Sequence, residues 1–105
     1  CDADCTAGAV CEVVAAESAS LECTGSTCDY TVGASASVTC SEGAQCDVTC
    51  TGTSCGVSCR GSGSDCSLDC TTTGCSLACT GGATCEIRCP GESEFRNVVE
   101  GASCG

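Results

Sequence analysis

The sequence predicts an all-β fold: a small, two-sided β-solenoid of about five coils, laddered by disulfides. Three observations lead there. Cysteine supplies 17 of 105 residues, far above the level that marks a disulfide scaffold in a short chain. A five-residue unit, C-x-[VLI]-x-C or a close variant, recurs along the first 89 residues. Gly, Ser and Thr fill the short stretches between units, and no window carries helical periodicity.

The units are centred on Ala3, Val13, Leu21, Tyr30, Val38, Val48, Val57, Leu68, Leu77 and Ile87, eight to eleven residues apart. Odd positions within a unit are Cys, Ala or aliphatic; even positions are mostly Asp, Glu, Ser or Thr. Period two is the strand signal, with one face turned inward and the other to water. Between units, "TGST", "SEGAQ", "RGSGSD", "TTTG" and "TGGAT" are turn chemistry. Alternate units superpose at 17 to 20 residues, which suits a coil with one strand on each side. One side then carries Val13, Tyr30, Val48, Leu68 and Ile87, and the other carries Ala3, Leu21, Val38, Val57 and Leu77. Stacked about 4.8 Å apart, such coils make a slab roughly 25 Å tall. The alternative is a disulfide-rich antiparallel β-sandwich of hairpins. Its turns would favour Asn-Gly or Asp-Gly, and neither dipeptide occurs.

The last stretch, "PGESEFRNVVEGASCG", breaks the repeat and holds the only Pro, Phe and Asn. The chain therefore divides into Cys-rich solenoid repeats over 1–89 and a non-repeat cap or subunit adaptor over 90–105.

Strand geometry governs the sulfurs. Cys46 and Cys50 are four residues apart on one extended segment, about 13 Å at 3.3 Å per residue. That is too far to share one metal ion, and too far for a disulfide, whose Cα atoms lie within about 7 Å. No C-x-C or C-x-x-C occurs, which disfavours metallothionein and thioredoxin chemistry. Bridges must then cross turns or climb between coils. Turn-crossing puts Cys5–Cys11, Cys23–Cys28, Cys40–Cys46, Cys59–Cys66 and Cys79–Cys85 on one edge, with Cys50–Cys55 and Cys70–Cys75 on the other. Cysteines also vanish jointly across turns: Ala15 faces Ala19 across "AES", and Val32 faces Ala36 across "GAS". Vertical pairing between coils tolerates the same losses but leaves orphans. Cys104 is the remaining partner for Cys89, and Cys1 is left unpaired, joined to another chain or lipidated. A chain beginning with Cys resembles a bacterial lipoprotein, which implies a lipid anchor at Cys1. By loop entropy, closing about six residues contributes roughly 2 kcal/mol per bridge.

Fourteen Asp and Glu stand against three Arg, with no Lys or His, for a net charge of −11. That repels nucleic acid and anionic lipid. No His means no Ser-His-Asp or Cys-His site, and a slab filled with sulfur and aliphatic groups offers carboxylates no catalytic pocket. No transmembrane segment is expected, since no apolar run reaches spanning length. Glu12, Asp29, Asp47 and Glu86 share one outward side, with Asp69 displaced by one site. Stacked carboxylates invite a hard cation such as Ca²⁺ or form a merely solvated acidic face.

Small coils, abundant Thr and repeated Cys across 1–89 resemble the disulfide-braced β-solenoid antifreeze proteins of insects, and also secreted bacterial Cys-rich repeat proteins. The first resemblance implies ice binding through flat T-x-T arrays. Here Thr49 lies on a strand while Thr51 and Thr53 lie in a turn, and outward pairs such as Glu12/Val14 and Asp29/Thr31 roughen the face. The expected role is a non-catalytic, secreted or surface-displayed structural protein. Because the repeat begins uncapped, end-to-end self-association into a filament stands against a capped monomer. Ice or divalent-cation binding is the other class.

Overall fold

Every alternation of inward and outward residues becomes a strand, and each short polar stretch becomes a reversal between two facing sheets. The computed structural model describes residues 2–6, 8–71, 74–98 and 100–104. The strands are β1 (Asp2–Thr6), β2 (Val10–Glu17), β3 (Ser20–Thr24), β4 (Thr27–Ala34), β5 (Ser37–Ser41) and β6 (Gln45–Cys50). They continue with β7 (Gly56–Arg60), β8 (Asp65–Cys70), β9 (Cys75–Thr80), β10 (Thr84–Arg88), β11 (Arg96–Val98) and β12 (Gly101–Cys104). No helix occurs among the described residues.

Odd strands β1 to β9 stack in parallel in one sheet and even strands β2 to β10 in the other. This is a β-solenoid braced by disulfides. It makes about four turns, close to the five coils expected, since four parallel steps separate the five strands on each side. Register fixes the step: Val10 pairs with Thr27, Thr27 with Gln45, Gln45 with Asp65 and Asp65 with Thr84. Coil length varies between these steps, yet inward residues always meet inward residues. Turns absorb the difference.

The core is one side chain deep on each side. Val13, Tyr30, Val48, Leu68 and Ile87 stack against Leu21, Val38, Val57 and Leu77 across a slab of 34 × 29 × 18 Å. All are buried except Val13, which is only partly covered. Tyr30, the only Tyr, spans the gap: its hydroxyl donates to the Glu22 carbonyl of the facing sheet at 3.2 Å. That bond satisfies a polar group that would otherwise be costly in the interior. Burial, and secondarily the charge of Asp4, raises the Tyr30 phenol above its ordinary pKa.

Two turns are very tight. Ser18 and Ser35 adopt left-handed φ of 53° and 59°, allowing β2 and β4 to run eight residues each before the chain doubles back. Their amides donate to the next coil, Ser18 to the Ala34 carbonyl at 2.8 Å and Ser35 to Thr53 at 2.9 Å. In the following turn a Cβ on Gly52 would stand 2.3 Å from the Ala34 nitrogen, so only glycine fits there.

After β10 the winding stops. β11 and β12 run antiparallel to β10 and β9, covering the final parallel strand of both sheets. Arg88 anchors this region. It makes a two-point pair with Asp69 (Nη2–Oδ2 2.5 Å, Nε–Oδ1 3.1 Å) and lies 5.0 Å from the Phe95 ring centre.

Candidate functional site

Three features could carry function: the sulfur edges, the acidic face of the even sheet, and the unpaired strand edges of the first coil.

Disulfides join Cys5–Cys11, Cys23–Cys28, Cys40–Cys46, Cys59–Cys66 and Cys79–Cys85 along one edge. The opposite edge has Cys50–Cys55 and Cys70–Cys75, and Cys89–Cys104 ties the tail to the last coil. Each turn-crossing bridge spans 6.2 to 6.5 Å between Cα atoms, because consecutive strands end and begin on facing sheets. Cys1 lies outside the described residues, as do Thr72 and Thr73 of the "TTT" run.

On the even sheet the outward column reads Glu12, Asp29, Asp47, Ser67, Glu86. Ser67, not Asp69, occupies the fourth level. Asp69 sits in the neighbouring column beside Thr49, where it is held by Arg88. The Ser67 hydroxyl donates to Glu86 Oε1 at 2.6 Å, so Glu86 is already engaged. The four carboxylates expected to share a cation are thus not one cluster. Glu12, Asp29 and Asp47 occupy successive coils, while Glu86 is two coils from Asp47 with Ser67 between them. A shallow concavity of about 350 Å³ is lined by Asp29, Asp47, Asp65, Ser67 and Glu86. The sequence names Ser67 as outward, paired with Asp69, but assigns it no part in a cation site, and it does not single out Asp65. Both follow from the unit frame, which sets Asp65 beside Gln45 and Ser67 beside Asp47 once Leu68 is aligned with Val48.

The Asp47 carboxyl is pushed up from its ordinary range by burial first, then by the charges of Asp29, Asp69 and Glu86. Chemically, adjacent Asp29 and Asp47 could offer up to four oxygens to a hard cation, short of the six to eight that Ca²⁺ takes. The other face differs. Odd-sheet residues turned outward include Ser20, Ser37, Gly56 and Ser76 in one register column, and Glu22, Thr39, Ser58 and Ala78 in the next.

At the first coil, β1 and β2 each pair on one side only among the described residues. Val10 and Val14 on β2 are 84% and 81% exposed, and Cys11 and Val13 beneath them are only partly buried. No family model, curated protein or solved structure matches this chain. Its dense disulfides are of the kind found in extracellular proteins. Among the described residues no helix is long and apolar enough to cross a membrane.

Proposed function

We propose that this chain is a non-catalytic, secreted or surface-displayed structural protein that associates end to end through its solenoid axis. The observation that carries the reading is the first coil, where among the described residues β1 and β2 each leave one edge unpaired beside exposed Val10 and Val14. A bare edge of this kind recruits another strand, and the far end of a second copy offers the outer edges of β11 and β12. Head-to-tail contacts that do not close build fibres. The disulfide edges suit such a role, since a rod element outside the cell must resist heat and proteases. Among the described residues no carboxylate or guanidinium is buried, leaving the interior to packing.

Negative-stain microscopy combined with thermal hysteresis on the same oxidised sample tests this. Fibres without hysteresis are expected. A monomer at all concentrations in sedimentation sinks the assembly reading. A second reading, divalent-cation binding, draws on the raised Asp47 carboxyl beside Asp29. It requires a saturable calcium isotherm that Asp29→Asn and Asp47→Asn abolish.

A further inference from the structure

Sulfur is crowded along the five-bridge edge. Cys23 and Cys40 are register partners, as are Cys28 and Cys46, so bridge Cys23–Cys28 lies directly against bridge Cys40–Cys46. The Sγ atoms of Cys23, Cys28 and Cys46 all lie within 4.8 Å of one another. One coil further, those of Cys40, Cys46 and Cys66 meet the same limit, Cys66 belonging to bridge Cys59–Cys66. All six cysteines of these bridges are buried. Each bridge therefore has a sulfur of the next within a short approach.

We propose that these three bridges form a track for thiol–disulfide exchange, along which one unpaired thiol migrates between coils. The first step is attack by the Cys28 thiolate on Cys46 Sγ. A Cys28–Cys46 bond forms, the Cys40–Cys46 bond breaks, and the electron pair leaves on Cys40, which takes up the proton Cys28 gave away. The Cys40 thiolate then attacks Cys66 Sγ, a Cys40–Cys66 bond forms, and Cys59 leaves as thiolate. Every step conserves the number of thiols and disulfides, so no oxidant or reductant is consumed. The initiating thiolate arises when a small external thiol bonds to Cys23 and expels Cys28. Burial disfavours the thiolate, which sets the pace of such rearrangement at minutes to hours. The track interconverts turn-crossing and coil-to-coil pairs, so a bridge misformed during oxidative folding can be corrected without unfolding.

The test uses the 105-residue chain carrying Cys1→Ser/Cys23→Ser, oxidised and folded, in which Cys28 begins as the unpaired thiol. After incubation at mildly alkaline pH, acid quenching and alkylation, peptide mapping locates the label. Label on Cys28, Cys40 and Cys59, within about tenfold of one another and accumulating at a rate independent of protein concentration, is expected. Label confined to Cys28 overturns the proposal, and so does a rate that scales with concentration, which marks exchange between molecules. Adding Cys40→Ser/Cys46→Ser removes the middle bridge and should leave Cys59 unlabelled; label there marks exchange through unfolding and overturns the track. In unsubstituted protein, substoichiometric glutathione should place new thiols at Cys59 as well as at Cys28, and their restriction to Cys28 counts against it equally.

Discussion

The two edges of the slab close their turns by different means. On one, all five turns carry a bridge, from Cys5–Cys11 to Cys79–Cys85. On the other, the first two turns carry none, and bridges begin only at Cys50–Cys55 and Cys70–Cys75. Where sulfur is missing, Ala15, Ala19, Val32 and Ala36 are buried in its place, and a left-handed Ser18 or Ser35 reverses the chain at once. The difference shows what a bridge substitutes for. A turn short enough to be dictated by backbone geometry closes the coil unaided; a longer one leaves loop entropy that a covalent link removes.

The strongest way to break the comparison is to delete one bridge from each edge by the same chemistry. Cys40→Val/Cys46→Ala should lower stability by about 2–4 kcal/mol, since its turn has no tight alternative. Cys50→Val/Cys55→Ala recreates the residue types flanking Ser35 and should cost clearly less. Chemical denaturation of both variants decides it; equal losses would mean the edges do not differ in this way. Reduction of the whole protein removes the distinction, and circular dichroism should then show collapse at moderate temperature. Of intermediate size, Gly52→Ala drives a Cβ into the Ala34 backbone and should cost about 1–3 kcal/mol. Gly43→Ala, in open space on the five-bridge edge at a φ of 80°, should cost about 1–2 kcal/mol, through backbone strain alone. Thermal midpoints of the pair rank steric against conformational cost.

The smallest effect lies on the acidic face. Because the folded-state pKa of Asp47 is raised, the folded protein holds its proton to higher pH than the unfolded chain. This carboxyl therefore costs stability at neutral pH, and the cost disappears as pH falls through the raised value toward the ordinary carboxylate range. Asp47→Asn should raise the thermal midpoint slightly at neutral pH and leave it unchanged in strong acid. A lowered midpoint at neutral pH would contradict this sign.

The winding was legible in the sequence because alternation and turn chemistry are local, and the inward residues of each unit name their own side. The outer faces were less legible. Asp69 stands one site off the carboxylate column, as the unit frame indicates, with Ser67 beside Asp47; which of these groups bond to one another depends on side-chain placement, which the frame leaves open. The Asp69–Arg88 pair spans 19 residues and has no local signal. β11 and β12 were hidden for another reason. "RNV" and "GASC" lack the repeat's cysteine frame, and their antiparallel course is set by the strands they meet.

One property of the coil reaches beyond its own stability. Since strands hold their register while turns take up every change of length, the segment Gly61–Ser64 is already a tolerated insertion, with left-handed Gly61 and Gly63 and a buried Ser64 whose hydroxyl donates to the Arg60 carbonyl at 2.9 Å and accepts from the Gly43 amide at 3.1 Å. A foreign peptide spliced between Ser62 and Gly63 would project sideways from the column without disturbing the levels above and below. The architecture therefore lends itself to carrying epitopes or recognition loops at a fixed height along a rigid mast.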